Sequence, residues 1–240
     1  MSKPLKFSFF LVVCIFVFLS GCVKKDPETT IAQVLFVPLS PNASAVDFSI
    51  NGNIVATGVG YSTTVGTVRY TLPYYTIEPK ANSTISYNVN GFSTQRAAVT
   101  KDLVDESVYS TFLIDTGVLI KAVIVKDDMT EPTPGKVKIR FFHFSPRNVD
   151  LDVEIQGTTT KLFANRKFND QFLDSKLENF IEIDPGTYTF LFKNTATGAT
   201  LFTTTAQILL TNRIYTLAAR GLPTGTGTLA LGAWVYPNKP

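Results

Sequence analysis

The chain has 240 residues, 45% of them hydrophobic, with 22 Lys and Arg against 19 Asp and Glu. That near-balance, with no clustered basic face, excludes an electrostatic footprint for nucleic acid. Two Cys and a single His leave too few soft ligands for a zinc site built on thiolate or imidazole.

Residues 1–21 read as a processing segment. Lys3 and Lys6 form a basic start, and Phe7 to Leu19 is an almost unbroken apolar run. That run is short for a bilayer span, which takes about 20 apolar residues. It ends in small residues at a cleavage position, as a secretory signal requires. Leu19-Ser20-Gly21-Cys22 resembles the lipobox of bacterial lipoproteins, with cleavage between Gly21 and Cys22 and acylation of the Cys22 thiol and its new amine. Several acyl chains hold a membrane far better than one, at about 0.8 kcal/mol per buried methylene. The plainer alternatives are a signal peptide with an incidental Cys, or an uncleaved anchor.

Cys14 lies inside the discarded run, so the mature chain keeps one Cys, and no disulfide or thiolate catalyst is expected. Loss of Lys3 and Lys6 leaves 20 basic residues against 19 acidic, so the sequence pI of 8.8 overstates the basicity of the mature protein. Residues 22–30 form the lipidated end and tether. Asp directly after the Cys, the usual signal for inner-membrane retention, is absent. Lys24-Lys25-Asp26, broken by Pro27, resembles export signals of surface lipoproteins in some Gram-negative groups; a solvated tether is the simpler reading.

From Ile31 onward the pattern is β. Ile31 to Val37 is a dense apolar run that predicts a buried strand. Val46, Phe48 and Ile50 alternate with Asp47, Ser49 and Asn51, predicting one apolar and one wet face. Asn51-Gly52 predicts a tight hairpin, because both tolerate positive φ. Alternation returns at Thr84 to Val89, and Val108 to Ile114 and Val118 to Val125 close the unit. The charged, Pro-rich stretch that follows contains a stiff linker, 129–135. No capped segment of 3.6-residue period predicts a helix.

The second half repeats the first. Phe36, Ser40, Pro41, Asp47, Ile50 and Gly52 recur as Phe141, Ser145, Pro146, Asp152, Ile155 and Gly157, always 105 residues on. Ile77-Glu78-Pro79 and Val108-Tyr109 recur as Ile183-Asp184-Pro185 and Ile214-Tyr215, 106 residues on. A period of this size means two copies of one module. Gly186 to Phe192 predicts a single continuous strand, and Leu229 to Val235 the closing one. About seven short strands per copy, with turns every ten or so residues, predict a β-sandwich. The expected fold is all-β: two tandem immunoglobulin-like or transthyretin-like sandwiches, 31–128 and 136–240, after a lipoprotein signal peptide.

A strand into Ser-Pro, then Val-Asp with alternating apolars into Gly, then Pro-Gly-Thr-Tyr resembles the family of domain of unknown function 4397, once per copy. The resemblance implies a β-sandwich module of bacterial secreted and surface proteins, and no reaction. The second copy keeps His143-Phe144-Ser145-Pro146, close to the family's His-Ala-Ser-Pro. In the first copy Pro38 stands in place of the His, so a site built on it would survive only in the second.

Candidate site residues are few. His143 reads as a structural His or, with Asp150 and Asp152, as a ligand or base. Asp150, Asp152 and Glu154 share a strand face, either as a solvated row or as oxygen ligands for Ca²⁺. Asp127-Asp128 carries the same pair of readings, and solvent is the expectation for both. Tyr70, Tyr74 and Tyr75 surround Pro73; exposed Tyr makes a platform for sugars or proteins, and in an adjacent pair one ring faces inward. Trp234 and Tyr236 share a face and are expected in the core. No nucleophile elbow, Walker loop or dinucleotide fingerprint is present, so neither cofactor nor metal is expected. The expected protein is a non-enzymatic lipoprotein of the cell envelope, in the outer membrane and facing the periplasm or the surface. Its partners are the lipid bilayer through acylated Cys22 and a glycan or envelope protein, with Tyr74, Tyr75, His143 and Asp152 as binding candidates. Two alternatives remain: an accessory subunit that pairs through sandwich edge strands, and a hydrolase using an acid pair that includes Asp152.

Overall fold

A computed structural model describes residues 30–61 and 73–239. Among them no α-helix forms; strands alternate with turns and four short 3-10 segments. The first half supplies β1 (Ala32–Pro38), β2 (Val46–Ile50), β3 (Asn53–Val59), β4 (Tyr74–Ile77), β5 (Ser83–Val89), β6 (Gln95–Lys101), β7 (Val108–Ile114) and β8 (Lys121–Asp127). These make two sheets, ordered β4-β1-β7-β8 and β3-β2-β5-β6.

The second half supplies β9 (Val137–His143), β10 (Leu151–Ile155), β11 (Lys161–Arg166), β12 (Ile181–Ile183), β13 (Gly186–Tyr188), β14 (Phe190–Asn194), β15 (Thr200–Thr203), β16 (Gln207–Leu209), β17 (Ile214–Arg220) and β18 (Gly232–Lys239). Its sheets are β12-β9-β17-β18 and β11-β10-β14-β15, with a ribbon of β13 and β16. β1 runs parallel to β7 and β9 parallel to β17, while the other pairs are antiparallel. Between β2 and β3, Asn51 and Gly52 take φ of 52° and 82°, the mirror-turn geometry their types favour.

Side-chain alternation divides the core into three. Val34 and Phe36 of β1 pack on Phe48, Ile85 and Tyr87 inside the first sandwich. Ile139 and Phe141 of β9 pack on Val153, Phe190 and Phe192 inside the second. The intervening residues, Leu35, Val37 and Phe112, meet Phe142, Phe144, Trp234 and Tyr236 in a third cluster. The four sheets therefore stack, with those of β1 and β9 in the middle. Strands buried on both faces have almost no wet side, which is why β1 reads as a dense apolar run broken only by Gln33.

Four sequence expectations need correction. Gly186 to Phe192 is two strands: β13 pairs with β16 and β14 with β10, because the chain changes sheets at Thr189. The closing strand lies later than expected, at Gly232–Lys239, since Gly227–Leu229 forms a 3-10 turn. The expected wet faces of β2 and β10 are closed: Asp47, Ser49, Asp152 and Glu154 are all buried. Asp127, expected in solvent, lies between the sandwiches at 4% exposure. Residues 129–135 hold no strand, and Thr133 N and Gly135 N donate to Glu182 and Asn212 of the second half.

Candidate functional site

The repeated motif residues perform the same mechanical tasks in both copies. Ser40 Oγ donates to the carbonyl of Asp115 at 2.6 Å, and Ser145 Oγ to that of Gly221 at 2.8 Å. Each hydroxyl ties the turn after the opening strand to the residue just past β7 or β17. Tyr109 Oη accepts from Val104 N at 3.0 Å and Tyr215 Oη from Leu210 N at 3.0 Å, five residues back in each case. This is the same device as a tyrosine corner, a ring whose hydroxyl pins the approach to its own strand.

Asp152 is a staple. Its carboxylate accepts from Asn165 N at 2.7 Å and Thr195 Oγ1 at 3.0 Å, and pairs with Lys161 at 2.8 Å. Burial alone would raise its pKa, but these partners together hold it below the usual Asp value. Asp47 does the same in the first copy, accepting from Asn90 Nδ2, Gly58 N and Gly91 N, with Asn90 the largest cause of its lowered pKa. In both, the carboxylate gathers the neighbouring hairpin strand and the turn after the next strand. Glu154 pairs with Lys193.

His143 ends β9 with its ring buried. Nε2 lies 3.1 Å from the carbonyl of Val149, and Ser145 N donates to Nδ1 at 3.3 Å. An Nδ1 that accepts leaves the proton on Nε2, so the ring is the neutral tautomer bridging its own loop. Burial pushes its pKa down to about 4. Phe168 closes over it edge-on, with ring centroids 6.2 Å apart.

The two tyrosines of β4 point to different cores. Tyr75 packs into the first sandwich, 6.3 Å from the Phe48 ring, while Tyr74 packs against the cluster between the sandwiches. Trp234 and Tyr236 lie in that same cluster, ring centroids 5.3 Å apart. The structure thus brings Tyr74 to the junction, Tyr75 to a core, and His143 and Asp152 to separate frameworks; the four do not converge. Gly21, Cys22 and Tyr70 lie outside the described residues.

Sequence reasoning missed the junction itself. Arg140 of β9 is fully buried, and its Nη2 lies 2.5 Å from Asp127 Oδ1 of β8. The patterning held part of the signal, since Arg140 stands between the apolar residues Ile139 and Phe141 of β9. It also missed a cleft of about 700 Å³ lined by turns of both halves, among them Asn42, Arg96, Thr116, Val118, Ile120 and Arg147. Asn42 and Arg147 each follow a Ser-Pro pair, a relation visible in the sequence once the copies are aligned. Among the described residues, no group of three or more His, Cys, Asp and Glu is placed to hold a metal.

Sheets, corners and staples together define a tandem β-sandwich protein in which one module occurs twice. The chain belongs to the family described as a domain of unknown function (DUF4397), whose model matches residues 32–154. That span covers the first sandwich and runs through β9 into β10, the strands that answer β1 and β2. Among solved structures, a carbohydrate-binding module of family 26 from Eubacterium rectale, in complex with maltoheptaose, is 13% identical; the alignment covers 88% of this chain and 98% of that one, with a TM-score of 0.24. At that score the likeness carries no argument about this chain. No curated protein matches it.

Proposed function

We propose that the protein is a non-enzymatic, lipid-anchored component of a cell envelope, held in the outer membrane through acylated Cys22 and presenting two joined sandwiches to a glycan or protein ligand. The observation that carries this reading is the engagement of its ionisable side chains in the framework. Asp47 and Asp152 are saturated by hydrogen bonds, His143 is neutral and enclosed, and Asp127 faces Arg140. A general acid or base needs to be within reach of a substrate, and all four of these are buried. The anchor rests on Leu19-Ser20-Gly21-Cys22 and the apolar run before it.

The test is made in the native host. The wild-type chain takes up labelled palmitate and partitions into detergent, whereas Cys22→Ser does neither. Protease added to intact cells cleaves the sandwiches if they face outward. Mature protein on glycan and protein arrays then retains a ligand. An unlabelled, freely soluble wild-type chain would overturn the anchor. Hydrolysis that disappears in Asp152→Asn would replace the binding reading with a catalytic one.

A further inference from the structure

The cleft takes one lining residue from each of two equivalent turns. Asn42 follows Ser40-Pro41 and Arg147 follows Ser145-Pro146, at the same offset of 105, and both line one cavity, whose remaining walls come from Thr94 to Arg96 and Thr116 to Ile120 of the first half. Duplication has thus brought residues of two related turns to one cavity. Arg147 sits at φ 58°, a left-handed conformation uncommon outside Gly, Asn and Asp. Backbone held in such a region clusters at ligand sites.

The chemistry of the lining is cationic and polar. Neither Arg96 nor Arg147 has a hydrogen-bond or ion-pair partner among the described residues. Asp115, next to the lining residue Thr116, is already engaged by Thr116 N at 2.9 Å and by Lys121 at 3.6 Å. Thr116 Oγ1 is buried and unpaired, although the residue is only 4% exposed. A buried hydroxyl without a partner is costly unless a ligand supplies one. Beside it, Val118 is fully exposed and offers an apolar wall. Two free guanidiniums select a planar anion that accepts in pairs. A volume of this size lies in the range that holds a small ligand, about 300–1,000 Å³, which suits a mono- or disaccharide better than a folded partner.

We infer that the cleft binds a carboxylate-bearing saccharide, a uronate or a sialate, with Arg96 and Arg147 supplying charge, and the amide of Asn42 and the hydroxyl of Thr116 supplying hydrogen-bond partners to the sugar. The inference rests on the ligand-binding reading above and gives that ligand a charge and a place. The full mature chain, purified in detergent, is titrated calorimetrically with oligogalacturonate and with sialyllactose, and with lactose as the neutral control. One acidic sugar binds, lactose does not, and Arg96→Gln and Arg147→Asn each weaken binding by about tenfold. Both side chains are exposed, and Asn tolerates the φ of Arg147, so the variants fold; matching thermal melts verify this. Binding of neutral sugars alone, or acidic-sugar binding indifferent to both variants, overturns the cleft assignment and leaves the binding protein standing. Tighter binding of poly-glutamate than of either acidic sugar overturns it in favour of an acidic peptide. Absence of any retained glycan or protein, on the arrays as well, removes both readings.

Discussion

Arg140 and Asp127 come from different sandwiches and meet in an ion pair that water does not reach. Asp127 Oδ2 also accepts from Ser110 Oγ at 2.7 Å, and Arg140 Nε donates to Thr216 Oγ1 at 2.8 Å. The Phe142 and Phe180 rings cover the guanidinium at 4.7 and 4.5 Å. An apolar junction alone could settle in several registers. A buried pair that must find its partner admits one, at a desolvation cost that limits its contribution to stability. The junction is therefore a specified contact, and it keeps the Ser-Pro turns of the two copies beside one cleft.

Asp127→Ala leaves Arg140 charged and uncompensated, so the expected loss is about 3–5 kcal/mol. Replacing both, as Asp127→Leu with Arg140→Met, restores much of it, because similar volumes then pack without charge. Urea unfolding of Asp127→Leu alone, Arg140→Met alone and the two combined measures this through the coupling energy. Single losses that simply add would show that the pair is not a pair.

The two tyrosine corners are independent copies of one device, so their effects should match and sum. Tyr109→Phe and Tyr215→Phe each remove a hydroxyl and leave Val104 N or Leu210 N without its acceptor. Each should cost about 1 kcal/mol. The double variant should lie near the sum, since the sites share no partner. Shifts in the urea midpoint at constant slope provide the check.

Asp152→Asn keeps the shape of the staple and removes its charge. The pair with Lys161 weakens, and the amide of Asn165 loses its strong acceptor. The expected cost is about 1–3 kcal/mol, with faster hydrogen exchange at Asn165. Asp47→Asn should likewise speed hydrogen exchange at Gly58 and Gly91. Because both carboxyls titrate below their unfolded value, their contribution is complete above that value and fades as pH falls through the lowered one. Wild type and variants should therefore converge in acid.

The strands and the duplication were legible because apolar period and turn chemistry are local properties of the chain. Asn51-Gly52 needs no tertiary partner to make a mirror turn. The role of Asp152 was not legible, since an acid between apolar residues looks the same whether it faces water or a bulged neighbour. Nor was the split at Thr189: Gly186 to Phe192 has strand propensity throughout, and only the competition between β16 and β10 for partners divides it. Arg140 and Asp127 stand 13 positions apart in sequence, and nothing local couples them. Tyr74 and Tyr75 divided as alternation requires, but each ring packs against a core and is half-buried, leaving Thr76 as the exposed residue of β4.

His143 makes stability depend on pH in a defined window. The unfolded ring binds a proton near its ordinary pKa of 6.5, whereas the folded ring resists protonation until about pH 4. Between those values the unfolded state carries more protons, so acidification favours unfolding. The gap corresponds to a loss on the order of 3 kcal/mol across the window. Above pH 6.5 the term is complete and flat. His143→Gln retains an amide able to bridge the loop but cannot titrate, so its stability should change less between pH 7 and pH 4.5 than that of the wild type. Urea unfolding of both proteins at the two pH values checks this, with the carboxylates acting as a common background. Equal losses in the two proteins would mean that the ring titrates alike folded and unfolded, and that enclosure does not hold it neutral.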